Sequence, residues 1–196
     1  MNMLRFATPQ DTNALLAIYS PFVKNTVISF ESTPPSPQEF CDRISSTLEQ
    51  LPWLVCEIDG KAAGYAYASK HRARAAYQWS VDFSVYIDPD FHKRCIATAL
   101  YSALRDLLTL QGYYNAFAGV AIPNEKSEGF HESFGFRPIG VYRHVGYKFN
   151  QWHDVKWFSL DIGNFQLPPS PPKSISELRD SRNCETIFGK YANLIK

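Results

Sequence analysis

Residues 77–98, YQWSVDFSVYIDPDFHKRCIAT, decide the fold because they join a long alternating strand to the start of a helix. Apolar side chains occupy every second position from Tyr77 to Ile87, with polar side chains between them. This alternation predicts a strand that buries one face and keeps the other polar. The polar face carries Asp82, for which a solvated strand side chain is the simpler interpretation from the alternation alone.

The turn after this strand and the helix that follows form a candidate anion site. Apolar residues from Ile96 to Leu110 recur at helical spacing, and Gly112 ends the predicted helix. The first N–H groups of such a helix are unpaired and lie at its positive dipole end, which favours an anionic ligand. Lys93 and Arg94 add positive charge, although an ordinary turn carries two basic residues equally well.

The remaining patterns predict further helices and strands on both sides of this unit. Predicted helices begin at Thr8-Pro9-Gln10-Asp11, at the capping box Ser36-Pro37-Gln38-Glu39, and at Asn124. The other strands are predicted at Trp53–Ile58 and Ala62–Ala68, joined by Asp59-Gly60, and at Asn115–Ile122, Phe136–Arg143 and Val155–Asp161. This order predicts a mixed α/β sheet flanked by helices, not a sandwich or a bundle.

Composition excludes several classes of protein. The chain has 196 residues, 45% of them hydrophobic, and a formal net charge of +1, which fits one folded domain and argues against a nucleic-acid binder. No apolar run approaches the roughly 20 residues of a membrane helix, and Met1–Thr8 lacks a secretory signal, so we expect a cytoplasmic protein without membrane contact. Wide cysteine spacing predicts neither a zinc ribbon nor a disulfide framework; the cysteines are Cys41, Cys56, Cys95 and Cys184.

A proline-rich stretch, Leu167–Pro172, divides the chain into two parts. We predict a domain over residues 3–164, followed by a linker and C-terminal tail over residues 165–196. A solvated tail is the simpler interpretation. The alternative is a short docking helix built on Phe188, Tyr191, Leu194 and Ile195.

Several motifs together resemble the GNAT superfamily of acetyl-CoA-dependent N-acetyltransferases, and within it the phosphinothricin acetyltransferase family. They are Pro52-Trp53-Leu54-Val55, Gly64-Tyr65-Ala66-Tyr67-Ala68, Ser84-Val85-Tyr86-Ile87, His131-Glu132 and Trp152-His153-Asp154-Val155, with Arg74, Ala76-Tyr77 and Trp79. The resemblance covers about Leu4 to Pro172. It implies a mostly antiparallel central sheet, acetyl-CoA as co-substrate, a small amine as acceptor, and a possible homodimer.

The resemblance also assigns the residues that hold acetyl-CoA. Backbone groups of Val85, Tyr86 and Ile87 are expected to pair with the pantetheine arm, as an added strand does. The pyrophosphate is expected on the turn Lys93, Arg94, Cys95, Ile96, Ala97 and Thr98, and Asn124 is expected to contact the cofactor across the cleft. The turn departs from the family pattern, because His92 replaces Gln or Arg and Cys95 replaces a glycine. Cys95 is tolerated if the backbone there stays right-handed, and weakens cofactor binding otherwise.

The family's catalytic glutamate corresponds to Asp82, one methylene shorter, and its active-site histidine corresponds to His131. Acetyl transfer needs a neutral amine, so Asp82 is the expected general base, directly or through water, with His131 relaying protons. A solvated Asp82 and a packed His131 are the alternatives. His153 is expected to be structural, His71 and His144 have no pattern around them, and no cluster predicts a metal.

The acceptor is expected to contact Arg72, Arg74 and Tyr77, with Phe30 as a wall and Glu31 attracting its ammonium group. Arginines suit a carboxylate or phosphinate, but a solvated loop explains them too. The predicted function is acetylation of a small amino-acid-like amine of the phosphinothricin or methionine sulfone type. The alternatives are a CoA-binding regulatory module with weak catalysis, and an acetyltransferase for a polyamine or a protein N-terminus.

Overall fold

Seven strands form one mixed sheet in the computed structural model, which describes residues 2–196. In chain order the strands are β1 (Asn2–Phe6), β2 (Trp53–Ile58), β3 (Lys61–Lys70), β4 (Ser80–Ile87), β5 (Asn115–Ile122), β6 (Arg137–Lys148) and β7 (Gln151–Asp161). The helices are α1 (Thr12–Asn25), α2 (Pro37–Gln50), α3 (Ile96–Gln111), α4 (Glu125–Phe134), α5 (Ile175–Leu178) and α6 (Arg182–Ala192). Across the sheet the strands lie in the order β1-β2-β3-β4-β5-β7-β6.

All neighbouring strands are antiparallel except β4 and β5. That parallel pair is short, because it joins only Ser80–Asp82 to Asn115–Phe117 within residues 2–196. Beyond this point β4 continues beside β3, and β5 continues beside β7. The two central strands therefore diverge, and a gap opens in the middle of the sheet. The predicted mixed, mostly antiparallel sheet is confirmed.

The two faces of β4 belong to different hydrophobic clusters. Val81 and Phe83 pack with α3, where Leu100 and Leu104 are fully buried. Tyr86, on the other face of β4, packs against a second cluster built from α1, α2 and neighbouring strands. Asp82 shares the face of Tyr86, since side chains two residues apart on a strand point the same way.

Two elements differ from the sequence-based expectation. The long strand begins at Ser80, because Ala75–Tyr77 form a 3₁₀ turn in which Tyr77 is 44% exposed. The indole nitrogen of Trp79 donates to the carbonyl of Ser170, 2.7 Å away, so this residue anchors the proline-rich stretch. The N-terminal strand β1, which we did not predict, pairs with β2.

The prediction of a solvated C-terminal tail is wrong, and the alternative of a docking helix is confirmed. Helix α6 buries Cys184 and Tyr191, and Ile175 and Ile195 are buried on either side of it. The Tyr191 hydroxyl donates to Asp106 of α3 at 2.5 Å. The apolar side chains of this segment pack against α3 and β1, and this burial stabilises its ordered conformation. Among residues 2–196, none of the helices is long and apolar enough to span a membrane.

Candidate functional site

The gap between β4 and β5 exposes one edge of β4. Val85, Tyr86 and Ile87 pair with β3 on their other side, and no strand of residues 2–196 pairs with the edge that faces β5. Such an edge offers backbone donors and acceptors to an extended ligand that carries amides. Gly64 lets β3 approach β4 here, because an added Cβ would lie 2.6 Å from Ile87 Cδ1 and 2.9 Å from the Tyr86 carbonyl oxygen.

The turn between β4 and α3 contains two strained residues. Lys93 and Cys95 have φ values of +63° and +61°, in the left-handed region that glycine adopts most easily. Cys95 is the N-cap of α3 and has a left-handed backbone. The right-handed backbone under which we expected a cysteine to be tolerated here is therefore absent. Ile96, Ala97 and Thr98 follow as the first turn of α3, with Ile96 buried in the core. Their N–H groups point out of the helix start, where an anion binds favourably.

Arg94 does not extend toward this helix start as expected. Its Nε donates to the carbonyl of Lys196, and its own carbonyl accepts from the Lys196 N–H at 3.1 Å. Its guanidinium also lies 5.9 Å from the ring centre of Phe91. Arg94 therefore binds the C-terminal segment, while the neighbouring Lys93 remains exposed.

Asn124 lies across the gap, at the start of α4. Its Oδ1 accepts from the N–H of Ser127 at 3.2 Å and thereby caps the helix. The capping role explains why an asparagine suits this position. This hydrogen bond fixes Asn124 beside the end of β5. The expected contact of Asn124 with the cofactor remains a prediction.

Asp82 borders a cleft of about 310 Å³ on the α1 and α2 side of the sheet. The cleft is lined by strands β3, β4, β5 and β7 and by the loop after α1; the lining residues are Val27, Ile28, Phe30, Ser69, Asp82, Phe83, Ser84, Gly119, Ala121, Val155 and Trp157. Burial raises the pKa of Asp82, and a hydrogen bond from His71 partly offsets this rise. The carboxylate is thus neither fully solvated nor isolated.

His71 is the functional candidate that the sequence analysis missed. Its Nδ1 lies 2.6 Å from Asp82 Oδ1, and the side chains of His71 and Asp82 are only 13% and 24% exposed. The imidazole stacks on Phe117 with ring centres 4.2 Å apart. The pairing of β3 with β4 could have indicated this contact. Ser69 is opposite Asp82, so the residue at position 71 is diagonal to Asp82 on the same face of the sheet.

His131 lies on the opposite face of the sheet, against α3. It is 5% exposed and stacks on Phe158 with ring centres 5.6 Å apart. Its Nδ1 lies 2.7 Å from the Ser127 carbonyl, and its Nε2 lies 3.2 Å from the Tyr101 hydroxyl. Burial lowers the pKa of His131, which favours a neutral ring. The sheet separates His131 from Asp82, and both of its ring nitrogens have hydrogen-bond partners, so the structure favours the alternative of a packed His131, while its expected proton relay stays a prediction.

Of the two acceptor residues expected after α1, only Phe30 lines the cleft. Its ring fits against Gly146, where an added Cβ would lie 2.2 Å from Phe30 Cε2. Glu31 instead accepts from Arg43 at 2.6 Å and from the Tyr19 hydroxyl at 3.0 Å. Glu31 is thus paired with Arg43 and does not line the cleft, and its expected attraction of the acceptor ammonium stays a prediction.

Lys148 holds the loop that carries Phe30. It is 7% exposed, and its Nζ donates to the carbonyls of Val23, Thr26 and Ser29 at 2.6, 2.8 and 2.6 Å. One ammonium group thereby caps the end of α1 and ties the following loop to the β6–β7 hairpin. The sequence offered no signal for this contact, which joins residues far apart in the chain.

The predicted arginines lie beside the cleft and do not converge on Asp82. The Nη1 of Arg72 donates to the His71 carbonyl at 2.9 Å, and its guanidinium lies 5.9 Å from the ring centre of Trp157. Arg72, Arg74 and Tyr77 line a separate cleft of about 510 Å³ near the end of α2. Only Arg72 and Tyr77 approach His71; the rings of Tyr77 and His71 are 6.2 Å apart.

Comparison with known proteins identifies the family. The acetyltransferase (GNAT) domain family matches residues 4–157. The chain belongs to the GNAT acetyltransferase family. This acetyltransferase is 37% identical over 163 residues to the phosphinothricin N-acetyltransferase of Streptomyces coelicolor, covering 81% of this chain and 95% of the relative. It is 32% identical over 175 residues to the phosphinothricin N-acetyltransferase of Streptomyces viridochromogenes, covering 89% and 95%.

A solved structure supports the same assignment. The phosphinothricin acetyltransferase from Sinorhizobium meliloti in complex with AcCoA superposes with a TM-score of 0.82 at 31% identity. The match covers 86% of this acetyltransferase and 93% of that chain. The resemblance deduced from the sequence motifs is confirmed.

Proposed function

We propose that the protein transfers an acetyl group from acetyl-CoA to the amine of a small amino-acid-like substrate of the phosphinothricin or methionine sulfone type. The observation that carries this proposal is the free edge of β4, which runs directly beside the cleft of Asp82. A thioester on a pantetheine arm paired with this edge would be delivered to a carboxylate at the same gap.

We propose that the cofactor binds through main-chain groups of Val85, Tyr86 and Ile87 and through the N–H groups of residues 96–98. Lys93 and Cys95 shape the turn, and Asn124 borders the cofactor from the side of α4. Backbone donors at a helix start suit a pyrophosphate, so the interaction depends little on side chains. The attachment of Arg94 to Lys196 supports a structural role for Arg94 at this turn.

We propose that Asp82 supplies the basic group for the reaction. An ammonium acceptor must lose a proton before its nitrogen attacks the thioester carbonyl directly. Burial raises the pKa of Asp82, which makes its carboxylate a better proton acceptor than a solvated one. Ser84, on the same face of β4, borders the same cleft.

We propose that the acceptor lies between Phe30 and Trp157, which line the same cleft as Asp82. Arg72 stands beside Trp157 and supplies positive charge for an acidic group of the acceptor. Arg74 and Tyr77 border the adjoining basic cleft and contribute to binding at longer range.

We propose a cytoplasmic homodimer. The sheet ends at β6, and this edge strand and its hairpin expose large apolar side chains: Ile139, Val141, Tyr142, Val145, Tyr147, Phe149 and Trp152. An exposed apolar edge strand favours association, and a second copy would cover it. All four cysteines are free thiols, as suits a reducing compartment. Sedimentation of Tyr147→Lys beside the wild type tests the dimer, and a monomeric wild type contradicts it.

The deciding experiment measures release of the CoA thiol with phosphinothricin, methionine sulfone and a polyamine as parallel acceptors. We expect turnover with the first two and little with the polyamine. A thermal shift with acetyl-CoA and CoA is measured on the same sample, since a ligand that binds the native state raises its stability. A thermal shift without thiol release would favour a non-catalytic CoA-binding module, and the absence of both would refute the proposed function.

A further inference from the structure

We propose that His71 Nε2 is the atom that takes the proton from the acceptor ammonium, with Asp82 as the carboxylate behind it. This inference rests on the proposed function and names the group that touches the acceptor. It makes His71 a catalytic residue and Asp82 its positioning partner, so that the two side chains act as one base.

The hydrogen bond within the pair sets the state of the ring. An ionised carboxylate only accepts hydrogen bonds, so the 2.6 Å contact to Asp82 Oδ1 places the hydrogen on His71 Nδ1. The neutral imidazole then has its lone pair on Nε2. Within residues 2–196 no hydrogen-bond partner of Nε2 is found, so this lone pair is free to accept a proton.

The ring is also held in place on several sides. It stacks on Phe117 at 4.2 Å, and Trp157 and Tyr77 meet it edge-on at 5.9 and 6.2 Å. The backbone N–H of His71 donates to the Ser80 carbonyl at 3.4 Å, which continues the β3–β4 pairing past the strand end. A base held in this way loses little entropy when the acceptor binds.

His71 borders a cleft of about 200 Å³, next to the cleft that Asp82 borders. Trp157 lines both clefts and lies between them. Because Nδ1 faces Asp82, the Nε2 side of the ring is the part left to face the second cleft. An acceptor seated against Trp157 adjoins both clefts, so its ammonium group reaches the imidazole from the second cleft while Asp82 borders the first.

The charges around His71 and Asp82 favour both the protonation of the imidazole and the later release of that proton. Asp82 stabilises the imidazolium formed on His71, in the manner of a carboxylate behind a catalytic histidine. Arg72 adds positive charge nearby and helps the proton to depart. Tyr77 and Tyr142 also border His71, and Tyr67 lies near Asp82, where burial raises the pKa of its hydroxyl.

The reaction balances with this base. His71 Nε2 takes one proton from the ammonium, and the neutral amine attacks the thioester carbonyl to form the C–N bond. The C–S bond then breaks, and the CoA thiolate takes the second proton from the amide nitrogen. His71 afterwards releases its proton to solvent. The products are the N-acetyl compound, CoA thiol and one proton.

The test is imidazole rescue of His71→Ala. We expect this variant to lose about 10²-fold or more of kcat, the usual contribution of a general base, while its affinity for acetyl-CoA stays close to that of the wild type. Added imidazole fits the space that the side chain leaves and should restore turnover in a saturable way. A purely structural role would not respond to imidazole in this way. His144→Asn, which removes an exposed imidazole on β6, is the control and should not respond to imidazole.

Each outcome decides between the two levels of the proposal. A folded His71→Ala that keeps its kcat, or that loses it without rescue, refutes the role of His71 and leaves Asp82 as the direct base. A wild type that releases no thiol with any acceptor refutes the proposed function and the role of His71 together. Rescue that follows imidazole concentration, in a variant that still binds acetyl-CoA, supports the assignment.

Discussion

Replacing Cys95 with glycine should stabilise the protein and tighten acetyl-CoA binding. Cys95 is the N-cap of α3, and its φ of +61° puts its Cβ close to its own backbone. Glycine adopts this conformation without that contact. The same change removes a Cβ and a sulfur from the turn that we propose for the pyrophosphate, so the backbone can approach the ligand more closely.

The magnitude follows from two opposing terms. A non-glycine residue in the left-handed region costs about 1–2 kcal/mol, and glycine loses about 0.5–1 kcal/mol more in chain entropy on folding. The net gain is about 0.5–1 kcal/mol, which for a chain of this size raises Tm by about 1–4 °C. For acetyl-CoA, a gain of about 1 kcal/mol corresponds to roughly fivefold tighter binding.

Differential scanning calorimetry and titration calorimetry with acetyl-CoA measure the two effects separately. Cys95→Ala is the matched control, because it removes the sulfur and keeps the strained Cβ. We expect glycine to raise Tm and alanine to leave it nearly unchanged. A glycine variant that melts earlier, or that binds acetyl-CoA more weakly than wild type, would refute the steric argument for this turn.

Three further changes test other parts of the structure. Gly146→Ala forces the ring of Phe30 out of its place and should raise KM for the acceptor by roughly fivefold, the loss of about 1 kcal/mol of contact, in steady-state kinetics. Asp106→Ala removes the acceptor of the Tyr191 hydroxyl and should cost about 1–2 kcal/mol in urea unfolding. His131→Gln should flatten the decline of stability below pH 6.5, because the pKa of His131 lies below its ordinary 6.5 only in the folded state.

The sign of the pH effect follows from proton binding. As the pH falls below 6.5, the unfolded chain protonates this histidine before the folded chain does, so the stability that its neutral form contributes is lost. An identical pH slope in wild type and variant would contradict this account. An unchanged acceptor KM in Gly146→Ala would show that Phe30 does not contact the acceptor, and an unchanged unfolding midpoint in Asp106→Ala would show that α6 is held by apolar packing alone.

Local patterns predicted most of the fold because they depend on neighbours in sequence. The capping box at Ser36 and Glu39 forms as expected, with Glu39 N–H donating to Ser36 Oγ at 3.2 Å. The start of β4 was placed too early, because alternation continues through Tyr77 while the chain turns at Ala75–Tyr77. The tail was wrongly predicted to be solvated, because its apolar side chains are buried only by contact with α3 and β1, and this contact between distant segments leaves no local pattern.

The candidate site was predicted less completely, for a physical reason. Asp82 and Phe30 were found through motifs, and the structure places both on one cleft. His71 and Lys148 were missed because their partners are brought near by strand register and by contacts between distant segments. His131 matched a motif, yet it lies on the far side of the sheet from Asp82. There it is buried and makes two hydrogen bonds.

The three carbonyl contacts of Lys148 link two surfaces that the sequence keeps apart. Tyr147 and Trp152 are exposed on the β6–β7 hairpin that carries Lys148. The Lys148 Nζ donates to a carbonyl of the loop that leads to Phe30. A partner packed on those aromatic rings would therefore restrain the loop of Phe30, the proposed wall of the acceptor cleft, through the Lys148 ammonium group. A second copy packed there, as in the proposed homodimer, would thus be mechanically connected to the proposed substrate wall of this acetyltransferase.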